Sequence, residues 1–368
     1  LLRAPEPAAV RPAPAREGRE LLSYAEWAER SFPGRANKKR RHELTAKFTH
    51  AGQPGESLAA HAARLLAALK YPDGSDVRLI PSFFELLASL KREGRSFALC
   101  FRTFGEDLEA VMEEFNAFCE GRHPHYPKVR MDGSDGEPDY RFFAGDAERC
   151  GSFHRDDSCT SLVLGTWEQP GEEGGLAFYG PMRHVRVVSG MAAVQGALEE
   201  KCSRCGTLAL RDYFHYWKLK GQTSSGGKVF FVDAASGATD RHEMFFDDNI
   251  RYSDSHIVHL VNPRDPCRSQ WVNPFLRTHV CRAVPWQAIS DKRWFVKEVE
   301  RLEDGYERKL LVRQRLQDTL KKISRSRGVL SKLHAGTAEC QGEAYDAWRG
   351  LRHHDGELSL CEDEGETA

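Results

Sequence analysis

Residues 80–120 alternate helix, strand and helix patterns across short connections, and this constrains the fold more than any other stretch of the chain. Ile80-Pro81 opens a helix whose broad apolar face is Phe83, Phe84, Leu86, Leu87 and Leu90, and Gly94 closes it. Ser96 to Phe101 then reads as a short apolar strand. Arg102-Thr103-Phe104-Gly105 follows it, and an amphipathic helix is predicted from Glu106 to about Glu120. Strands that alternate with helices bury both faces of a parallel sheet, so the expected fold class is α/β. The same grammar returns with a strand at Thr207 to Leu210, a helix from Asp212 to about Lys220 and a strand at Val229 to Val232. An apolar run from Met244 to Phe246 then ends in Asp247-Asp248, and a further strand is expected at Ile257 to Val261.

The segments around this core read differently. Residues 1–20 are Pro/Ala/Arg-rich and expected to be disordered or loop-like, and residues 21–70 read as a helical appendage. Within it Leu58, Ala62, Leu65, Leu66 and Leu69 share one helix face. In residues 121–205 Gly/Asp/Pro clusters separate short strand-like runs at Ser161 to Gly165, Leu176 to Tyr179 and His184 to Val188, with a helix near Met191 to Leu198. This segment is expected to be an inserted α+β module between the core segments 77–120 and 206–265. Residues 266–335 read as a helical extension. Its long charged helix, Lys292 to about Arg325, carries an apolar stripe of Phe295, Val299, Leu302, Tyr306, Leu310 and Leu311. Residues 336–368 read as a mostly disordered acidic tail.

Charge argues against a nucleic-acid partner, because Lys plus Arg total 53 against 54 Asp plus Glu. The basic run Lys38-Lys39-Arg40-Arg41 reads as a solvated helix face. A span of roughly twenty apolar residues, which a transmembrane helix needs, is not found in the sequence. The ten cysteines are scattered without the regular spacing of a disulfide scaffold, which points to reduced thiols in the cytoplasm or another reducing compartment. Cys202-Ser-Arg-Cys205 lacks a second such pair to complete a zinc site and is read as two loop thiols. Neither a P-loop nor a dinucleotide-binding glycine fingerprint follows an expected strand.

Three polar elements fall at ends of the α/β segments: Thr103, Lys228 in a Gly-Gly-Lys loop, and Asp247-Asp248. At one sheet edge a hydroxyl and an ammonium would donate to phosphoryl oxygens, and paired carboxylates suit Mg²⁺. Each also has a plainer use: Thr103 as a helix-capping hydroxyl, Lys228 as a solvent-facing turn residue, and the two aspartates as an acidic turn.

With these motifs in this order, the sequence resembles the haloacid-dehalogenase-like (HAD) hydrolase superfamily over roughly Val77 to Glu120 and Thr207 to Val261. The helix from Ile80 to Gly94 leading to Phe97-Ala-Leu-Cys-Phe-Arg-Thr103 is similar to that family's threonine motif, Lys228 to its lysine, and Asp247-Asp248 to its acidic motif. The resemblance implies a Rossmann-like core, with residues 121–205 as a cap over the site, and His154, Arg155 and Trp167 as candidate cap contacts. It further implies Mg²⁺ held by Asp247 and Asp248, catalytic roles for Thr103, Lys228 and Asp248, and Asp254 as an outer contact. The family's nucleophile, the first aspartate of an Asp-x-Asp motif, has no counterpart here: the first aspartate is Asp73, which lies with Asp76 in a turn. Since the sequence starts at Leu1, a strand bearing that motif is expected just upstream, with Leu1-Leu2 following it. The function expected is a Mg²⁺-dependent phosphatase acting on a small phosphorylated substrate; the alternative is a catalytically inactive HAD-like scaffold that binds a protein partner.

Overall fold

In the computed structural model the described residues are 2–3, 21–71, 73–172, 174–232, 241–251 and 257–333. The chain divides into two units, Leu1–Gly305 and Tyr306–Ala368. The first begins with β1 (Leu2–Arg3) and β2 (Leu21–Leu22), a short antiparallel pair, followed by α1 (Tyr24–Ser31), α2 (Lys38–Ala46) and α3 (Ala59–Ala68). Ser23 starts α1 with a capping box, its hydroxyl taking the Glu26 N–H while the Glu26 carboxylate takes the Ser23 N–H. The apolar face expected around α3 is only partly covered, with Leu58 and Leu66 exposed.

The predicted helix–strand–helix run is present as α4 (Pro81–Arg92), β3 (Leu99–Thr103) and α5 (Leu108–Cys119). Pro81 sits in the first turn of α4, where its missing N–H costs nothing. The chain continues through β4 (Cys150–Arg155), β5 (Thr160–Leu164), β6 (Arg186–Ser189), α6 (Met191–Cys205), β7 (Thr207–Arg211) and α7 (Phe214–Leu219). Then come β8 (Lys228–Phe231), β9 (Phe245–Asp247), β10 (Val258–Asn262), β11 (Asp265–Ser269), β12 (Val280–Arg282), α8 (Pro285–Ser290) and α9 (Trp294–Leu333).

The central sheet has five strands in the order β3-β7-β4-β5-β6. It is mixed rather than parallel as expected: β3, β7 and β4 run parallel, while β5 and β6 are antiparallel to their neighbours. The antiparallel part follows from the short connection between β4 and β5, which is too brief for the crossover that parallel neighbours need. Residues 121–205 supply β4, β5 and β6, so this segment shares the sheet with β3 and β7. Leu176–Tyr179, expected as a strand, is a short 3₁₀ turn that buries Tyr179 and exposes Phe178. Its phenol donates to the Glu168 carbonyl at 3.1 Å, a local tie that outweighs strand propensity. Cys202 and Cys205, expected in a loop, lie in the last turns of α6.

One face of the sheet is covered by α4 and α5, with Phe84, Leu87, Phe115, Phe118 and Phe142 fully buried. The other face packs Phe153, Leu162, Leu164, Leu208 and Leu210 against Val194 and Ala197 of α6. Each such side chain contributes roughly 1.5–3 kcal/mol relative to exposure. β8, β10 and β11 form a smaller sheet, and β9 pairs in parallel with β12. The start of α9 links the central sheet to the β9–β12 pair through a chain of ring contacts. It runs from Phe101 of β3 to Phe83 at 5.8 Å, from Phe83 to Phe295 at 6.1 Å, and from Phe295 to Phe246 of β9 at 5.5 Å. In the second unit the described residues, 306–333, are helical, with Leu311, Val312, Leu316 and Leu320 exposed.

Candidate functional site

Of the three polar elements singled out in the sequence, Lys228 and Asp247 are in direct contact, and Lys228 also reaches the backbone of Arg102, the residue before Thr103 in β3. Lys228, expected in a Gly-Gly-Lys loop ahead of a strand, is itself the first residue of β8 and is buried, not the solvent-facing turn residue of the plainer reading. Gly227 makes this possible: a Cβ there would stand 2.3 Å from the Ile257 carbonyl oxygen, so only glycine lets the strand start so close to its neighbour. The Lys228 ammonium donates to Asp247 Oδ2 at 2.8 Å and to the Arg102 carbonyl at 3.2 Å, and lies 5.4 Å from the Phe104 ring centroid. Both side chains of the Lys228–Asp247 pair are more than nine-tenths buried.

The Arg102 carbonyl has a particular place in β3. Leu99 gives its N–H to Gly206 and Thr103 takes the Asp212 N–H, so alternate residues of β3 turn their backbone groups toward β7. Those of Cys100 and Arg102 point to the opposite edge, where Lys228 is the recorded partner of the Arg102 carbonyl. β9 repeats the arrangement: Phe245 and Asp247 bond toward β12, which leaves the backbone of Phe246 facing away from it. Among the described residues no strand pairs with β3 or β9 on these outer edges, and Lys228 joins the two.

Thr103 ends β3. Its hydroxyl donates to Asp107 Oδ1 at 2.9 Å and accepts the Gly105 N–H at 2.8 Å, which fixes the turn into α5. Asp247 Oδ1 accepts the Asn249 N–H at 2.9 Å, and Asp248 accepts from the Asn249 amide at 3.0 Å. Asp248 is exposed; desolvation by the surrounding protein, then the Asp247 charge, push its carboxyl above the usual range. Asp254 lies outside the described residues.

Two buried arginines hold this arrangement; the sequence singled out Arg155 only as a cap contact and gave Arg102 no role. Arg102 forks onto the Asp212 carboxylate, with Nε to Oδ2 at 2.8 Å, and donates to the Val229 carbonyl at 3.0 Å. Asp212, expected to begin a helix, is instead committed to this ion pair, and α7 starts at Phe214. Arg155, considered above as a cap contact, is buried and donates to the carbonyls of Gly227 and Ser225, the latter at 3.1 Å. It also donates to His259 Nδ1 at 3.0 Å, and so holds the loop that places Lys228. His154 is buried against Tyr213, and the Trp167 indole donates to the Ala209 carbonyl at 2.9 Å. An arginine that grips carbonyls across the fold leaves no local sequence signal, since its partners lie far away along the chain.

Among the described residues no group of three or more His, Cys, Asp or Glu is placed to hold a metal ion. Burial pushes the Cys202 thiol up to about 11, so it is held as a thiol at neutral pH. No helix among the described residues is long and apolar enough to cross a membrane. The architecture is an α/β fold with a mixed central sheet flanked by helices. Neither a family model nor a curated protein nor a solved structure matches the chain.

Proposed function

We propose that the chain forms the phosphate site of a HAD-like, Mg²⁺-dependent phosphohydrolase. The observation that carries this reading is the double reach of Lys228, whose ammonium contacts both the outer edge of β3 beside Thr103 and the carboxylate that ends β9. A buried ammonium held between the β3 backbone beside Thr103 and the Asp247 carboxylate is suited to a phosphoryl group, whose charge it would share. Asp247 and Asp248 would hold Mg²⁺, whose role is to neutralise developing charge on phosphoryl oxygens. The donor set fits: both groups are hard oxygen ligands, and a carboxylate oxygen that accepts one hydrogen bond keeps a further lone pair. Thr103 would donate to a phosphoryl oxygen once its hydroxyl turns from Asp107. In this reading the attacking aspartate is supplied on the outer edge of β3, next to the Arg102 carbonyl.

A second reading, a non-catalytic binding protein on the same core, is favoured by one feature. The Lys228–Asp247 pair already neutralises itself, as in a structural ion pair. The melting temperature of the full chain separates the two. Addition of MgCl₂ with inorganic phosphate should raise it by mass action, by about 2.7 kcal/mol of stabilisation at a hundredfold excess over Kd. D248N should abolish the rise. An unchanged melting temperature at saturating Mg²⁺ and phosphate overturns the phosphohydrolase reading.

A further inference from the structure

We propose that Arg211 selects, among phosphate esters, those with a second anionic group such as a carboxylate; this rests on the phosphohydrolase reading above. Arg211 is the last residue of β7 and the register partner of Thr103, so the two side chains leave the sheet side by side on the same face. That face is the one covered by α5, because Phe101 and Ala209, two residues earlier on each strand, both pack in the cluster with Val111 and Phe115. Neighbouring strands lie about 4.8 Å apart, so an ester with its phosphate at Thr103 extends directly past the guanidinium of Arg211.

The two ends of the guanidinium are held by unlike partners. Its Nη1 donates to the Trp167 carbonyl at 3.3 Å, and Trp167 is itself fixed by its bond to Ala209 and by an edge contact with Phe142 at 6.2 Å. On the other side Nη2 meets Glu106 Oε1 at 2.8 Å. Glu106 is 82% exposed while Arg211 is 20% exposed, so the pair is a solvated carboxylate resting on a mostly buried cation. Such an exposed ion pair contributes little and yields readily to a better-placed anion. Arg211 Nε is buried and has no hydrogen-bond partner. An unmade bond at a buried donor is costly, and a planar carboxylate accepting from two guanidinium N–H groups at once satisfies it. Arg282, the register partner of Asp247 on β12, is another cation at this edge, but it is exposed and stands at the end of a strand that does not pair with β3.

The test compares two probes that share a phosphate. Methyl phosphate carries no second anion, whereas phosphoglycolate carries a carboxylate. Calorimetric titration of the full chain in MgCl₂ should show phosphoglycolate binding about tenfold tighter than methyl phosphate. In R211Q that ratio should fall to near one, and R211K should restore it in part. E106Q, at an exposed position, should raise the ratio about threefold by removing the competing carboxylate; it keeps the test decisive should R211Q fail to fold. General damage to the site would weaken both probes together and leave the ratio alone. Equal affinities in the unmodified chain, or a ratio indifferent to R211Q and E106Q, overturn the role of Arg211 while leaving the phosphate site standing. Binding of neither probe overturns both.

Discussion

His259 shows how finely single residues are committed around the site. Arg155 donates to its Nδ1, so the ring proton sits on Nε2 and is given to the Ser269 hydroxyl at 2.7 Å. Burial first, and the Arg155 charge second, push its pKa down to about 4. The unfolded chain, with the ordinary value of 6.5, therefore binds more protons than the folded one between about pH 4 and about pH 6.5. Stability from this group is fully present above that window and is lost as pH falls through it. H259N keeps an acceptor for Arg155 and removes the titration, so its melting temperature should fall less steeply over the same window. A slope identical to that of the unmodified chain would show that His259 is not the group responsible. At this scale the sequence drew attention to Thr103, Lys228, Asp247 and Asp248 as polar residues beside apolar strand-like runs. Arg155 was singled out only as a cap contact, and its pairing with His259 stayed hidden, because a pair 104 positions apart has no pattern in the chain.

Among the elements, α9 carries the sharpest conflict between local preference and packing. Gly305 sits inside a helix, where alanine is favoured by about 1 kcal/mol. A Cβ at that position would stand 2.2 Å from the Arg277 carbonyl oxygen. Arg277 itself has a φ of 64°, a conformation that a side-chain-bearing residue adopts only when its surroundings force it, so this backbone has little room to yield. G305A should therefore destabilise the protein by about 1–3 kcal/mol in urea unfolding, despite its better helix propensity. A stabilised G305A would mean that the contact relaxes. The helices α4 and α5 and the strand β3 were legible because their apolar residues recur over several helical turns or form an unbroken short run. The 3₁₀ turn at Leu176–Tyr179 and the helical position of Cys202 and Cys205 were not, because four apolar residues or a pair of cysteines fit several local conformations equally well.

At the scale of the whole molecule, the buried core clusters among the described residues are built from residues that precede Gly305, and the first turns of α9 belong to them. Trp294, Val296, Val299 and Leu302 pack on α4, β9 and β12 through Leu86, Leu90, Phe246 and Cys281. A chain ending at Gly305 should keep a cooperative thermal transition. One ending at Asp291 forfeits roughly 1.5–3 kcal/mol for each of those four side chains and should not melt cooperatively. Equal behaviour of the two truncations would show that α9 is dispensable to the core. The sequence by itself determined the α/β grammar, the apolar faces of α4 and α5, and the polar residues at strand ends, because periodicity and breakers act over a few neighbouring residues. Only the tertiary structure decided that the sheet is mixed, that residues 121–205 join it, and that Lys228 is buried between β3 and β9. Those outcomes depend on backbone hydrogen bonds and close approaches between segments far apart in the chain, to which local patterns are blind.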